Sequence, residues 1–145
     1  MTVYIASVHA GFSLKGVLKD FLTSEGYEVV DMGARILDTE DDYNEYVQEA
    51  AEAICHDKGS MGIVLGGSGQ GEAMQANRNT GIRAAVYYGG NLEIVRLSRE
   101  HNDANVLSLG ARFLSEDEAK NAVSLWIKTH FSTQGRHQRR NEKLG

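Results

Sequence analysis

The stretch Met61–Glu72, which reads MGIVLGGSGQGE, decides the fold of this chain. Its first five residues form a short apolar run that ends at glycines, which is typical of a buried strand. Four glycines then fall within six residues: Gly66, Gly67, Gly69 and Gly71. The residues that follow predict a helix to about Arg78. A buried strand that leads through a glycine turn into a helix is a unit of a parallel α/β fold.

The same alternation extends in both directions along the chain. The predicted strands are Val3–Ala6, Tyr27–Asp31, Met61–Leu65, Ile82–Tyr87 and Asn105–Leu109. Apolar residues at helical spacing predict the other helices: one from about Leu14 that stops at Gly26, one over Tyr43–Ile54, one over Asn91–Glu100, and one that begins at the Ser115/Glu118 capping box. The basic C-terminal segment Gln134–Gly145 lacks such periodicity.

This order of elements predicts an α/β fold of one domain over residues 1–145. Helices that separate successive strands require parallel pairing with helices on both faces. We therefore expect a Rossmann-like (flavodoxin-like) three-layer sandwich with a five-stranded parallel sheet.

Composition limits the compartment and the partners. The chain has 145 residues, of which 41% are hydrophobic and 24% charged, as in globular domains. A single cysteine, Cys55, excludes an intrachain disulfide and favours a reducing, cytoplasmic location. No apolar run approaches the roughly 20 residues that span a membrane. A net charge of −5 disfavours nucleic acid as a partner. No cysteine–histidine cluster has metal-ligand spacing, so neither a metal nor another cofactor is expected.

Ligands of parallel sheets bind beyond the carboxyl ends of the strands. Five predicted loops lie there: His9–Gly11, Gly33–Asp42, Gly66–Glu72, Tyr88–Asn91 and Gly110–Arg112. In the glycine loop, successive N–H groups can point at one place, and the start of the helix adds a positive dipole end. Such a loop can hold a phosphate or the oxyanion of an enediolate.

Two other readings of the glycine loop compete with an anion site. It is not a Walker A loop, because no Lys-Ser/Thr pair follows. It overlaps the dinucleotide pattern G-x-G-x-x-G only in part and follows the third strand instead of the first. A tight turn without function is the remaining alternative.

Further motifs occur in order around this loop. They are His9–Gly11, Ala76–Arg78, Gly81–Ala85, Arg99–Asn105, Gly110–Arg112 and Gly135–Arg140. Together they resemble the type B ribose-5-phosphate isomerases, a family that also holds the allose- and galactose-6-phosphate isomerases. The resemblance covers essentially the whole chain, and it is specific for the family but not for the substrate.

The resemblance implies an aldose–ketose isomerase that interconverts ribose 5-phosphate and ribulose 5-phosphate through a cis-enediolate. One branch of the family uses a cysteine just ahead of the glycine turn as the base, but that position here is Gly66. The other branch uses the glutamate after the turn, which is Glu72. By the same resemblance, Ser68 relays a proton and His101 opens the sugar ring. The N–H groups of Gly67, Gly69, Gln70 and Gly71 would hold the oxyanion.

The resemblance also assigns the substrate contacts and the partner. The phosphate would meet His9, Arg112, Arg136 and Arg140, and the sugar would meet Tyr43, Asn77 and Asn102. The family pattern is a homodimer, in some cases a tetramer, that shares its site. His101, Asn102, Arg136 and Arg140 would then reach Glu72 of the other subunit.

Val8 departs from the family pattern, which has an aspartate before His9. An apolar residue cannot accept a hydroxyl proton, so three explanations stay open. His101 alone opens the ring; the substrate is another sugar phosphate, such as a tetrose 4-phosphate that needs no ring opening or a hexose 6-phosphate; or the chain is a weakly active or non-catalytic sugar-phosphate-binding paralogue. Singly, His9 and His101 could be structural, and Arg136–Arg140 a solvated tail.

Overall fold

The computed structural model describes residues 1–145 and contains a five-stranded parallel sheet. The strands are β1 (Thr2–Ser7), β2 (Glu28–Gly33), β3 (Met61–Gly66), β4 (Ala84–Tyr87) and β5 (Val106–Gly110). The helices are α1 (Phe12–Ser24), α2 (Tyr43–His56), α3 (Gln70–Ala76), α4 (Glu93–Glu100), α5 (Glu116–Lys128) and α6 (Gly135–Leu144), with a 3-10 turn at His9–Gly11. The predicted α/β sandwich is confirmed. None of these helices is long and apolar enough to cross a membrane.

The strand order β2-β1-β3-β5-β4 explains the distribution of the helices. Crossovers between parallel strands are right-handed, so the direction of each step along the sheet decides which face its helix covers. The steps through α1 and α4 run one way, and those through α2 and α3 run the other way. Accordingly, α1, α4 and α5 pack on one face around Trp126, and α2 and α3 pack on the other around Ile54.

The direction in which the chain adds strands to the sheet changes between β1 and β3, and this switch point positions the site. The two strands are neighbours with Ser7 opposite Leu65, so their carboxyl ends lie side by side. All six residues of β3 are buried, as expected of a central strand covered on both faces. The loops that begin at Val8 and Gly67 therefore leave the sheet together.

The predicted bounds of the elements lie within two residues of the observed ones, and two differences have an identifiable cause. The fourth strand begins at Ala84, two residues later than predicted, because the N–H of Arg83 donates to Oδ1 of Asn105 at 2.7 Å. The C-terminal segment, in which no periodicity was visible, forms α6. No residue of α6 is buried, so the helix has no apolar stripe that sequence could reveal. The stop at Gly26, where φ is +92°, and the capping box at Ser115 are confirmed.

Candidate active site

Glu72 lies in the first turn of α3 and is only 5% exposed. Its carboxylate is held against Gly66, the last residue of β3: a Cβ at Gly66 would overlap both carboxylate oxygens. The absence of a side chain at Gly66 is therefore what lets Glu72 fold back over the end of the strand. This arrangement fixes one carboxylate at the switch point between β1 and β3.

Burial also changes the acidity of this carboxylate. Loss of hydration raises the pKa of Glu72 above its ordinary value, and the N–H of Glu72 itself offsets part of the rise. A glutamate with a raised pKa is a stronger base when ionised, and the pKa of a general base is best placed near the working pH. The pKa shift and the position both suit Glu72 for proton transfer.

The glycine turn supplies unpaired donors next to Glu72. Four of its N–H groups donate to no protein acceptor: Gly67, Ser68, Gly69 and Gly71. The fifth, that of Gln70, donates to Oγ of Ser68 at 3.3 Å, so it is less available to an oxyanion than predicted. Because Oγ of Ser68 accepts this bond, its own proton remains free to be donated elsewhere.

Contacts from β5, from the loop that follows β5 and from the start of α2 fix the shape of the turn. Ser108 donates to the carbonyl of Gly69 at 2.6 Å, and Gly69 adopts the left-handed conformation with φ of +80°. The guanidinium of Arg112 lies over Gly67, where a Cβ would come within 3.0 Å of Nη1. The ring of Tyr43 covers Gly71, where a Cβ would lie 2.7 Å from Cζ. The structure thus places Arg112 and Tyr43 at the turn, and their contacts with phosphate and sugar remain predictions.

His9 follows β1 and is bound by a carboxylate that sequence reasoning did not single out. Oδ1 of Asp41 lies 3.0 Å from Nδ1 of His9 and accepts from its backbone N–H at 3.3 Å. The side chain of Asp41 is 4% exposed, whereas that of His9 is 30% exposed. His9 therefore remains open to a ligand while Asp41 is enclosed beneath it.

The loop that carries Asp41 is anchored at its other end by a buried lysine. Lys15, 3% exposed, binds the carbonyl of Ala34 and Oδ1 of Asp31, the latter at 2.9 Å. Burial alone would raise the pKa of Asp31, but hydrogen bonds from Lys19, Lys15 and the N–H of Gly33 hold it below its ordinary value. The sequence did contain a signal for Lys15, because it precedes Leu18 and Leu22 by three and seven residues on the buried face of α1.

The other predicted residues do not join this cluster within one chain. His101 and Asn102 follow α4, which runs antiparallel to the strands, so they lie near the amino ends of β4 and β5. Asn102 lines a cavity of about 450 Å³ there, together with Asn77 and Leu144. The amide of Asn77 forms two hydrogen bonds with the backbone of Ala84, at 2.8 and 3.1 Å.

α6 docks beside His101. The rings of His101 and His137 stack with centroids 4.0 Å apart, and Asn141 donates to the carbonyl of His101 at 2.7 Å. Partial desolvation, followed by the charges of His101 and of the α6 arginines, lowers the pKa of His137. Arg136 and Arg140 are exposed on the same helix. The predicted residues thus form two groups, one beyond the carboxyl ends of the strands and one near their amino ends.

The fold and the first group define the class of protein. A buried carboxylate beside unpaired N–H groups can move a proton and stabilise the negative charge that results. Arg112 and His9 flank that centre with groups that bind anions. Such a site is suited to acid–base chemistry on an anionic substrate, and it lies where the strand order of the parallel sheet changes direction.

Comparison with known proteins narrows the class to one family. The sequence model described as Ribose/Galactose Isomerase matches residues 3–144. Ribose-5-phosphate isomerase B of Mycobacterium leprae is 40% identical over 144 residues, which cover 99% of this chain and 88% of that protein. The chain therefore belongs to the Ribose/Galactose Isomerase family.

Solved structures agree with this assignment. Ribose-5-phosphate isomerase B of Clostridium thermocellum is 42% identical, with a TM-score of 0.93 over 100% of this chain and 95% of that one. The enzyme of Mycoplasma genitalium, solved with bound ribulose-5-phosphate, is 34% identical, with a TM-score of 0.93 over 99% of this chain and 93% of that one.

Proposed function

We propose that this chain is an aldose–ketose isomerase that interconverts ribose 5-phosphate and ribulose 5-phosphate through a cis-enediolate. The observation that carries the proposal is the buried Glu72 carboxylate, held against Gly66 beside unpaired N–H groups. The names of the relatives and the ribulose-5-phosphate bound to the Mycoplasma genitalium enzyme support the choice of substrate.

Glu72 acts as the base of the reaction. Its carboxylate takes the proton from C2 of the open-chain aldose and returns it to C1 of the enediolate. Ser68, with its hydroxyl proton free, moves the second proton between O1 and O2, so the overall reaction gains and loses no atom. The N–H groups of Gly67, Gly69 and Gly71 stabilise the enediolate oxygen, and the loss of one such donor typically costs about 10²–10³ in rate.

The phosphate is bound by histidine and arginine side chains from two chains of a cytoplasmic homodimer. His9 and Arg112 belong to the chain that supplies Glu72, and Arg136 and Arg140 come from the other chain with their planar, two-pronged donors. The positions of the two residue groups support this, since they lie at opposite ends of the strands and do not meet within one chain. So does α6, because none of its ten residues is buried within one chain, which leaves its arginines exposed to a second chain.

His101 and Asn102 reach the sugar from the same second chain. His101 assists ring opening and Asn102 holds a sugar hydroxyl, while Tyr43 lines the pocket from the chain that supplies Glu72. Asn77 stays a predicted sugar contact in addition to its bonds with Ala84.

Proton exchange in heavy water tests the reaction. Ribose 5-phosphate is incubated with the protein, and NMR follows deuterium at C2 and the appearance of ribulose 5-phosphate. We expect exchange with the wild type and with Glu49→Gln, an exposed control on α2, and none with Glu72→Gln. Allose 6-phosphate, galactose 6-phosphate and erythrose 4-phosphate are measured in parallel. Exchange with only one of these three would identify that sugar phosphate as the substrate in place of ribose 5-phosphate. Exchange with none of the four sugar phosphates would contradict the proposal that the chain is an isomerase.

Mixing two inactive variants tests the shared site. Glu72→Gln and His101→Asn chains are unfolded together, refolded and assayed. If each site takes Glu72 from one chain and His101 from the other, random pairing restores about a quarter of wild-type activity. No recovery, with hybrid dimers confirmed by native mass spectrometry, would place both residues in one chain's site.

A further inference from the structure

Asp41 is a buried carboxylate that no catalytic role yet uses. It lies at the end of the loop between β2 and α2, and its Oδ1 receives both the ring Nδ1 and the backbone N–H of His9. Its other oxygen, Oδ2, is shielded from solvent and receives no hydrogen bond from the protein. Buried polar atoms are nearly always paired, because an unpaired one costs the full price of its lost hydration. Oδ2 therefore points to a donor that the chain itself does not provide.

The loop is built to hold Asp41 in this place. At its start, the N–H of Ala34 donates to the carbonyl of Ser7 at 2.7 Å, and buried Lys15 binds the carbonyl of Ala34. At its end, Asp41 is bonded to His9. Both anchors attach the loop to the carboxyl end of β1. The carboxylate of Asp41 is therefore placed beside Val8, whose own side chain is apolar.

We propose that Asp41 is the substrate-binding carboxylate of this site: Oδ1 orients His9, and Oδ2 accepts a hydrogen bond from a hydroxyl of the bound sugar phosphate. With the Nδ1 proton directed at Oδ1, Nε2 of His9 faces outward toward the phosphate. Oδ2 is shielded from solvent in the free protein, so the hydroxyl would reach it through a rotation about the soft terminal torsion of the aspartate. The valine at position 8 is then compatible with full activity on a cyclic sugar. This proposal rests on the proposed sugar-phosphate substrate.

The Asp41→Asn variant tests the roles of the two carboxylate oxygens separately. Asparagine keeps an acceptor for His9 at Oδ1 but replaces Oδ2 with an amide that donates. The matched control is Glu40→Gln, the same change of charge on an exposed neighbour in the same loop. Binding of ribose 5-phosphate and of inorganic phosphate is measured by calorimetry for both variants, and kcat and KM are measured for the sugar.

We expect Asp41→Asn to weaken ribose 5-phosphate binding about 10-fold or more, the usual effect of losing a hydrogen bond to a charged group. Inorganic phosphate, which has no sugar hydroxyl, should bind equally well to both variants. Equal sugar-phosphate affinities of Asp41→Asn and Glu40→Gln would overturn the proposal. Equal losses for both ligands would also overturn it, since they would reduce Asp41 to a support for the phosphate site.

The tautomer of His9 gives a readout that does not depend on turnover or on the Asp41→Asn variant. Long-range ¹H–¹⁵N correlation of the labelled wild-type protein, with His9 assigned from its absence in His9→Gln, reports which ring nitrogen carries the proton. The proposal requires a proton on Nδ1, and a neutral ring protonated only on Nε2 would overturn it. A wild type that binds sugar phosphate without isomerising it would contradict the proposed function and leave the Asp41 result intact.

Discussion

The carboxylate of Glu72 occupies the space that a side chain at Gly66 would fill. The two positions are therefore exclusive: a residue with a side chain at the end of β3 and a glutamate folded back from α3 cannot coexist in this geometry. The family resemblance distinguishes two branches by a base at one or the other of these positions, and the structure gives the steric reason why a chain holds only one of them.

Gly66→Ala should therefore inactivate the protein without touching the base itself. The new methyl group displaces the Glu72 carboxylate, and a misplacement of about 1 Å can cost roughly 100-fold in rate. We expect kcat for isomerisation to fall by about that factor. Gly16→Ala, in the exposed middle of α1 with no atom near its Cβ, is the control and should leave kcat unchanged. If Gly66→Ala retains wild-type kcat, Glu72 is not held by this contact.

Glu72→Gln should stabilise the fold at neutral pH while it removes activity. Because burial raises the pKa of Glu72, its ionisation opposes folding above the ordinary glutamate pKa of about 4.3. The neutral amide avoids that cost, and a gain of about 1 kcal/mol would raise Tm by roughly 2–4 °C at pH 7.5. The gain should disappear as the pH falls below about 4.3, where both states protonate the wild-type carboxyl. A Tm at pH 7.5 below that of the wild type would contradict the prediction.

The raised pKa of Glu72 can also be observed directly. In the free protein, the ¹³C signal of the Glu72 carboxyl, assigned by its loss in Glu72→Gln, should titrate with a midpoint above about 4.3. Exchange of the C2 proton should decline on the acid side as Glu72 becomes protonated, because the protonated form cannot accept a proton. A midpoint at or below about 4.3 would contradict the assigned effect of burial.

Local patterns predicted the sheet and the glycine turn because the signal for each lies within a few residues. The apolar run before Gly66 fixed the central strand, and the capping box at Ser115 fixed the start of α5. α6 was missed because none of its residues is buried, so nothing repeats at helical spacing. The start of β4 was misplaced because the tie between Arg83 and Asn105 joins residues 22 positions apart.

The site was less predictable than the fold, since its support comes from long-range contacts. The ring of Tyr43 lies on Gly71 and the guanidinium of Arg112 lies over Gly67, so both contacts join the glycine turn to residues far from it in the chain. The Asp41–His9 pair joins residues 32 positions apart, and no spacing rule marks it. In the sequence, Asp41 belongs only to the predicted loop Gly33–Asp42. In the structure it forms no side-chain cap on α2 and turns inward to His9 instead.

Lys15→Met should destabilise the fold and weaken the site through the loop that carries Asp41. The change leaves the Ala34 carbonyl without its buried donor and Asp31 with only Lys19 and the N–H of Gly33. We expect unfolding to become easier by about 3 kcal/mol, at the low end for breaking a buried ion pair. Lys19→Met is the matched control, because the Lys19 side chain is 38% exposed, and it should cost no more than about 1 kcal/mol.

Because these contacts keep the pKa of Asp31 low, the Lys15 contribution is present above about pH 4 and is lost as the pH falls through the lowered value. Urea unfolding at pH 7 and pH 3.5 measures both effects, and KM for the sugar phosphate should rise in Lys15→Met alone. Equal losses for the two lysine variants would show that the buried amine does not anchor the loop.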